Sequence, residues 1–266
     1  NAVSVECENI RDMIFYFCHN MERQLQTIRT RSFRIRFDES KHAYHFDERL
    51  VAFSVSKIAA SLKPPFDSLV MASRCGAAKR MQWTGNRNCT DAELAKAWEQ
   101  NGAAAAEAGT RLHAQIETFH IAGRNPDLCP IISAWMRKTF PRQSVIVYPE
   151  LRIAGHVVDG DARIVAGTID LLCFDRRSEE WSIWDWKRGS VSTTNGAEDT
   201  LGIGIKVSSH LVYSVQLALY SRILRLSYGI NVRHCRLVHT VEGQEPEVIE
   251  CDPAADAIAE IAALMR

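Results

Sequence analysis

The strongest chemical signal in the chain is the run Trp-Asp-Trp-Lys, which closes a strand-like segment. Asp185 and Lys187 are two residues apart, so on a β-strand their side chains point to one face, while Trp184 and Trp186 point to the other. Burying an acid and a lysine at the end of an apolar strand is costly if they serve structure alone. The pattern favours a metal-binding carboxylate beside a cation that orients a water. The alternative is a surface ion pair at a strand end.

Two further carboxylates lie in the preceding strand-like segments. A hairpin would bring Asp170 beside Asp185, and two adjacent carboxylates repel each other unless a cation lies between them. Mg²⁺ binds few carboxylates together with waters and phosphate oxygens. Glu150, one strand further back, is another acid in an apolar run, and a simple edge-strand charge is its alternative interpretation.

A histidine and a glutamine–tyrosine pair occur on helical segments. His113 and Glu117 are four residues apart and share one helical face, and Gly109 before them allows close backbone approach. In a chain that already holds paired acids, this histidine is a candidate metal ligand. Gln216 and Tyr220 are likewise four apart on an otherwise apolar helix. Structurally, the histidine can be an ordinary helix residue, and the pair can simply border the packing face.

The composition limits the classes of protein that can carry these residues. The chain has 266 residues, of which 46% are hydrophobic and 24% are charged, as in ordinary globular proteins. Lys plus Arg (32) equals Asp plus Glu (32), which argues against coating nucleic acid by bulk charge but allows a local basic patch. No apolar stretch approaches the ~18 residues of a membrane span. The chain begins at Asn1 rather than Met, so we expect a fragment.

The cysteine pattern predicts neither a disulfide framework nor a cysteine-rich metal site. No Cys-x-x-Cys pair occurs, and a chain of this length needs no disulfide scaffold. We therefore expect reduced, mostly buried thiols, no iron–sulfur cluster, and an intracellular protein of undetermined compartment. The eight cysteines are at positions 7, 18, 75, 89, 129, 173, 235 and 251.

Hydrophobic periodicity predicts the elements of the first half. Residues 8–28 have helical spacing, and residues 31–37 alternate as a half-buried strand with Phe33 on its apolar face. Residues 66–81 favour one helix, and residues 90–123 favour one long helix or two.

The second half changes to β-rich runs. Three of these runs lie between residues 144 and 187, and a polar segment, 189–210, is expected to be a mobile loop. A helix, further strands and a terminal helix follow. This order predicts a single α/β domain over residues 1–266. In it, residues 1–125 form a mostly helical elaboration that walls a cleft, and residues 126–266 form the catalytic α/β core.

The order of the chemically suggestive residues resembles that of the PD-(D/E)XK nuclease superfamily. The likeness is to its RecB-type branch, which includes mitochondrial and viral DNA exonucleases, and it spans roughly residues 50–240. A lone D-x-K motif is a weak signal, but five elements in order are specific. The elements are His113, Glu150, Asp170, Asp185-Trp186-Lys187 and Gln216-x-x-x-Tyr220.

The resemblance implies a mixed sheet flanked by helices, with Mg²⁺ or Mn²⁺ at the site. Asp170 and Asp185 would be metal ligands, His113 would be the additional ligand of the RecB-type branch, and Glu150 would be the upstream acid. Two departures are that Ile169 stands in place of the nominal proline and that Asp185 stands where many members have Glu. The four-cysteine cluster of some relatives is missing.

The resemblance also implies catalytic roles for three residues of the second half. Lys187 would orient or activate the attacking water. Gln216 and Tyr220 would support that lysine and contact substrate. No G-x-x-x-x-G-K-[ST] motif occurs, so the chain carries no helicase motor of its own.

The implied function is a metal-dependent DNA exonuclease that acts on single-stranded ends. Arg34 and Arg36, on one strand face, are expected to contact DNA, and residues 66–122 together with the 189–210 loop are expected to wall a passage. In that passage Trp83 and Trp98 are candidates for stacking on bases. Fusion to, or association with, replication or repair proteins is expected, and a membrane is not. The alternatives are an RNA endonuclease of the cap-snatching kind, a DNA endonuclease, and a catalytically dead nucleic-acid-binding fold.

Overall fold

The computed structural model describes residues 10–189, 191–193, 196–202, 204–252 and 254–265. Its helices are α1 (Ile10–Ser32), α2 (Val55–Ala60), α3 (Ser68–Ser73), α4 (Ala77–Thr84), α5 (Asp91–Ala122), α6 (Pro130–Thr139), α7 (Ser209–Ile223) and α8 (Ala255–Leu264). Its strands are β1 (Ile35–Asp38), β2 (Ala43–Phe46), β3 (Arg49–Leu50), β4 (Phe53–Ser54), β5 (Val145–Gly155), β6 (Val165–Asp175), β7 (Glu180–Lys187), β8 (Gly196–Glu198), β9 (Lys206–Ser208), β10 (Val232–His239) and β11 (Glu247–Glu250). A π-helical turn, Leu224–Tyr228, extends α7.

Six strands form one mixed sheet around β6. The order is β11-β10-β7-β6-β4, and β5 pairs along the other side of β6. Strand β6 is antiparallel to both β5 and β7, whereas β4 runs parallel to β6 and β10 runs parallel to β7. Helices cover the sheet, so the predicted α/β class, a mixed sheet flanked by helices, is confirmed. Strands β1 to β3 form a separate small sheet.

Each face of the sheet packs against its own helices. On one face Ile183 and Leu172 join the core formed with α2, α7 and α8. On the other face Trp184 and Trp186 pack with α5 and α6, and the Trp135 ring lies 6.4 Å and 5.8 Å from their rings. The alternation of β7 is therefore as predicted. The tryptophans face one core, and Asp185, which lies between them in the sequence, points to the opposite face.

The N-terminal helix is longer than predicted and the first strand is shorter. The helix continues to Ser32 because its last turn is held on β5, where Arg31 and Ser32 donate hydrogen bonds to the carbonyls of Ala154 and Arg152. Because of these contacts, residues 31 and 32 are helical, although the alternating pattern of residues 31–37 predicts a strand. Strand β1 begins at Ile35, and Phe33 lies in the turn between the two elements with 92% of its surface exposed. The placement of Phe33 on a buried strand face was wrong.

Helices α3, α4 and the first half of α5 form a small helical arm. The predicted single helix over residues 66–81 is divided, because Arg80 fills the break with hydrogen bonds to the carbonyls of Ala72, Cys75 and Cys89. The long helix, in contrast, is continuous through Gly102 and Gly109, and a capping box at Thr90 begins it.

The segment predicted as a mobile loop contains a small hairpin. Strands β8 and β9 pair antiparallel, and the amide of Thr200 donates to the carbonyl of Leu62 after α2. Residues 190, 194, 195 and 203 lie outside the described residues.

Two observations concern the predictions made for the cysteines and for membrane-spanning segments. The six cysteines whose side chains are described, from Cys75 to Cys251, have free thiols, while the side chains of Cys7 and Cys18 lie outside the described part. Among the described residues, none of the helices combines the length and the apolar character needed to cross a bilayer.

Candidate metal centre

Three carboxylates stand in one row across the three central strands. The pairing of β6 with β7 reaches Leu171 and Trp184, so the next residues in register are Asp170 and Asp185. On the other side of β6, the pairs Pro149–Leu171 and Leu151–Ile169 flank Glu150 and Asp170, so these two acids are also neighbours. Residues directly opposite each other on antiparallel strands are close neighbours. The hairpin expected from the sequence thus places these acids side by side.

The row lies where β6 changes partner. Residues 171–175 of β6 pair with β7, whereas Val165 and Ala166 pair with β4. Within the described chain, residues 167–170 have no strand partner on that side. The carboxylate of Asp170 accepts a hydrogen bond from the amide of Trp186 at 2.8 Å, which satisfies a backbone group at the end of the pairing. The fold thereby fixes the direction of the Asp170 side chain.

Helix α5 brings His113 to the row. Leu112 and Ile116 anchor this part of α5 in the core. The Nδ1 atom of His113 lies 3.4 Å from Oε1 of Glu150, and Nε2 lies 3.6 Å from Oδ2 of Asp170. One ligand atom from each of the three residues lies within 4.8 Å of the others. An imidazole and two carboxylates at this spacing can hold a divalent metal ion.

Glu150 adopts an unusual backbone conformation. Its φ angle is 46°, in the left-handed region that residues with a side chain seldom occupy. Such conformations cost free energy and are concentrated at functional sites. Here the conformation occurs at the residue whose carboxylate contacts His113.

Asp185 lies outside this trio and has different partners. Asp185 as a whole is 1% exposed, its carboxylate lies 2.6 Å from Nζ of Lys187, and Gln216 donates to Oδ1 at 3.3 Å. The lysine Nζ also lies 4.7 Å from the centre of the Tyr213 ring. The sequence predicts His113, Asp170 and Asp185 on one ion with Glu150 nearby. In the structure Glu150 contacts the histidine and Asp185 pairs with the lysine, and the shared ion stays a prediction.

Gln216 and Tyr220 converge on the same region from α7. Nε2 of Gln216 also lies 3.4 Å from the Tyr220 hydroxyl. The tyrosine ring passes so close to β6 that a Cβ atom on Gly167 would lie 2.7 Å from the ring. Only glycine leaves that space. The position of the Tyr220 ring therefore requires a glycine in the strand that carries Asp170.

Burial and charge shift the pKa values at the site. Burial lowers the pKa of His113, but the hydrogen bond to Glu150 and the charges of Asp170, Glu150 and Asp185 outweigh it, so the pKa rises from 6.5 to about 9. Burial raises the pKa of Asp185 to about 6 against the opposing charge of Lys187, and it also raises the pKa of Asp170. For Lys187 the neighbouring acids outweigh burial, so its pKa is raised. In the metal-free site the imidazole and the ammonium are therefore both charged at neutral pH, and a bound metal ion would displace the imidazole proton.

Sequence reasoning missed two aromatic residues that border the site. Tyr213 lies against Lys187, as described above. The hydroxyl of Tyr44, on β2, lies 3.0 Å from Oγ1 of Thr168, two residues before Asp170. Tyr213 is one helical turn before Gln216 and could have been found from that spacing. Tyr44 comes from a separate small sheet, and no local pattern points to it.

The two arginines expected to contact DNA are placed beside acids. Arg34 precedes β1, forms a bidentate ion pair with Asp47, and lies 4.8 Å from the Phe46 ring centre. Arg36 lies 4.0 Å from Glu48. The structure does not bring either arginine into the cluster around His113, so their role stays a prediction.

The comparison with solved structures gives a weak likeness. No protein-family model matches the chain, and no curated protein matches it. Among solved structures, a candidate exonuclease from Eubacterium rectale is 14% identical, with 79% of this chain and 70% of that chain covered and a TM-score of 0.34. A likeness of this size does not assign an activity to the chain.

Proposed function

We propose that the chain is a metal-dependent nuclease of the PD-(D/E)XK type that hydrolyses phosphodiester bonds in DNA. One observation carries the proposal. His113, Glu150 and Asp170 offer ligand atoms within 4.8 Å of one another, beside the buried Asp185–Lys187 ion pair. A metal-ligating group next to a fixed cation is the arrangement that phosphodiester hydrolysis needs. The order of these residues along the sequence supports the same class.

The acids and the histidine would hold Mg²⁺ or Mn²⁺. A divalent ion bound there would polarise a phosphate oxygen and make a bound water a better nucleophile. His113, Glu150 and Asp170 are the ligands favoured by distance, and Asp185 is proposed as a further ligand because it neighbours Asp170 in the same row. Hard carboxylate oxygens suit Mg²⁺, and one imidazole makes Mn²⁺ competitive.

Lys187 is proposed to orient the attacking water. Its side chain is fixed by Asp185 and by the Tyr213 ring, and its raised pKa keeps it an ammonium that can donate hydrogen bonds. Gln216 bonds to Asp185 and to Tyr220, and we propose that this pair keeps the lysine in place and borders the substrate. The roles of these three residues are proposed from the order of the D-x-K and Q-x-x-x-Y motifs along the sequence.

Cleavage from single-stranded ends is the finer part of the proposal. The helical arm and the β8–β9 hairpin are the proposed walls of a passage that would admit a threaded strand. Trp83 and Trp98 lie 6.3 Å apart and pack on each other within the arm, which favours a packing role for both. The passage therefore does not depend on stacking by these two tryptophans.

Digestion of end-labelled DNA tests this proposal. We expect shortening of linear single-stranded DNA with Mg²⁺ or Mn²⁺, no reaction with EDTA, and little attack on closed single-stranded circles. Rapid cutting of circles would contradict threading and leave an open-cleft endonuclease. Preferential cleavage of a matched RNA strand would contradict the assignment to DNA. Asp170→Asn is the matched inactive control.

A further inference from the structure

A groove lies beside the candidate metal centre, between the end of α1, strand β5 and helix α5. Its volume is about 420 Å³, within the range of ligand-binding pockets. Residues 147–152 of β5 form its floor. The groove shares Glu150 with the metal centre, and Glu117, one helical turn after His113, lines its α5 side. It is therefore a continuation of the site along the sheet.

Two arginines line this groove. Arg29 extends from α1 and Arg152 from β5, and both side chains are exposed. In the part of the chain that the structure describes, neither guanidinium has an ion-pair partner, which contrasts with Arg34 on the neighbouring turn. The groove also contains two acids, Glu150 and Glu117, and Glu150 lies 3.4 Å from His113. The two guanidinium groups are exposed and can therefore bind phosphates.

An exposed phenyl ring also borders the groove. Phe33 is 92% exposed, and its position follows from Ser32, whose hydroxyl bonds to the carbonyl of Arg152 at 3.2 Å. The end of α1 is thus fixed on the floor strand with the ring at the rim. Exposed single apolar residues are common, but this ring lies in the same groove as two guanidinium groups that pair with no acid among the described residues. Cationic groups that contact the backbone, beside an aromatic ring on which a base stacks, are how proteins bind single-stranded nucleic acid.

We propose that this groove binds the single DNA strand next to the scissile phosphate, with Arg29 and Arg152 on phosphates and Phe33 stacked on a base. The proposal rests on the proposed function, because it extends the same site. It identifies the substrate as an unpaired strand, since a base within a duplex does not offer its face for stacking. Phe33 would contact a base, whereas the two arginines would contact the backbone. The stacking contact and the phosphate contacts can therefore be tested separately.

The test is binding of fluorescein-labelled single strands, measured by anisotropy in EDTA so that no cleavage is involved. The probes are an oligo(dT) 20-mer and a strand of equal length with a central run of abasic sites. Phe33→Ala should weaken oligo(dT) binding at least about fivefold and leave abasic-strand binding unchanged, because stacking is lost. Phe33→Trp should retain wild-type affinity, and Phe33→Leu should behave like the alanine variant.

The arginine pair has its own readout. The Arg29→Ala/Arg152→Ala double variant should weaken binding to both strands. It should also reduce the slope of log affinity against log salt by about 1.4, since each phosphate contact on a single strand contributes about 0.7. Arg177→Ala, in the turn at the far end of β6 and β7, is the matched control and should leave both affinities unchanged.

The groove assignment is overturned if wild-type protein does not bind oligo(dT), if Phe33→Ala binds oligo(dT) like wild type, or if the double variant keeps the wild-type salt slope. Failure of the proposed function looks different. A protein that binds as described but cleaves no nucleic acid with Mg²⁺ or Mn²⁺ contradicts the nuclease assignment alone. A protein that cleaves, but whose groove variants bind like wild type, contradicts the groove alone.

Discussion

At the scale of single residues, Asp170 serves the fold and the proposed chemistry at once. Its carboxylate accepts the amide hydrogen of Trp186 and also faces His113. Asp170→Asn keeps an acceptor for that amide, whereas Asp170→Ala leaves it unpaired, at a cost of about 1–3 kcal/mol. We expect both variants to lose cleavage by at least about 10³-fold, a loss of roughly 4 kcal/mol of transition-state stabilisation.

Thermal unfolding separates the two roles of Asp170. A carboxyl whose pKa is raised by folding destabilises the folded state once pH exceeds its ordinary pKa, because the unfolded chain ionises more readily. Asp170→Asn should therefore be as stable as wild type or more stable at neutral pH, and Asp170→Ala should be less stable. If both variants unfold equally easily, the hydrogen bond to Trp186 has no structural role.

Lys187 makes a sharper test of the catalytic assignment. Lys187→Met keeps the length of the side chain and removes its charge, so the water loses its proposed partner while the DNA-binding surface is left in place. We expect cleavage to fall by two or more orders of magnitude and single-strand affinity to change less than about threefold. Near-wild-type turnover would mean that the lysine is only the counter-ion of Asp185.

At the scale of elements, the end of α5 carries a built-in sensitivity to acid. Burial lowers the pKa of His120 from 6.5 to about 4, and Arg142 acts in the same direction. The ring lies between Phe119 and Phe140, and its Nε2 atom is buried with no partner within the described residues. The histidine is thus folded in its neutral form, although a helix C-terminus favours cations.

The sign of this effect is fixed by the lowered pKa. The unfolded chain takes up the proton below pH 6.5 and the folded chain only near pH 4, so stability is complete above 6.5 and falls as pH decreases between those values. The loss is on the order of 3 kcal/mol. Denaturant unfolding across pH 4–7 should show it, and His120→Phe should flatten the profile in that range. An unchanged profile in the variant would assign the acid sensitivity to other groups.

Strand elements were predictable where a single local pattern decides them. Alternation in β7 placed the tryptophans on one face and Asp185 with Lys187 on the other, and the hairpin with β6 followed from spacing. The end of α1 was not predictable, because residues 31–37 alternate like a strand but are held in a helix by carbonyls of β5, over a hundred positions away. The break between α3 and α4, in contrast, is local: α4 begins after Gly76, and Arg80 donates to carbonyls only five to nine positions away.

The candidate site was predictable as a set of residues but not as a geometry. The types and order of His113, Glu150, Asp170 and Asp185 are visible in the sequence. Their grouping depends on the left-handed conformation of Glu150 and on the change of partner along β6, neither of which a local pattern reveals. The site therefore draws on contacts that only the assembled sheet provides.

At the scale of the whole molecule, metal binding should be linked to stability. The trio joins α5 to β5 and β6, which belong to different layers, so an ion held there would stabilise the folded state over the unfolded one. At 100 times its dissociation constant, a bound ion adds about 2.7 kcal/mol, which for a chain of this size is a rise of roughly 5–10 °C in melting temperature. Glu150→Gln and Asp170→Asn should each abolish the rise with Mn²⁺. A rise that persists in both variants would place the ion elsewhere.

The central claim is that the row of acids beside His113 and Lys187 is a metal-dependent nuclease site. The most direct measurement is cleavage of end-labelled single-stranded DNA by wild type, Asp170→Asn and Arg177→Ala, each with Mn²⁺, with Mg²⁺ and with EDTA. We expect metal-dependent shortening by wild type and Arg177→Ala, and no cleavage by Asp170→Asn or with EDTA. If Asp170→Asn still cleaves, or if wild type cleaves with neither metal, these residues do not form a metal-dependent nuclease site.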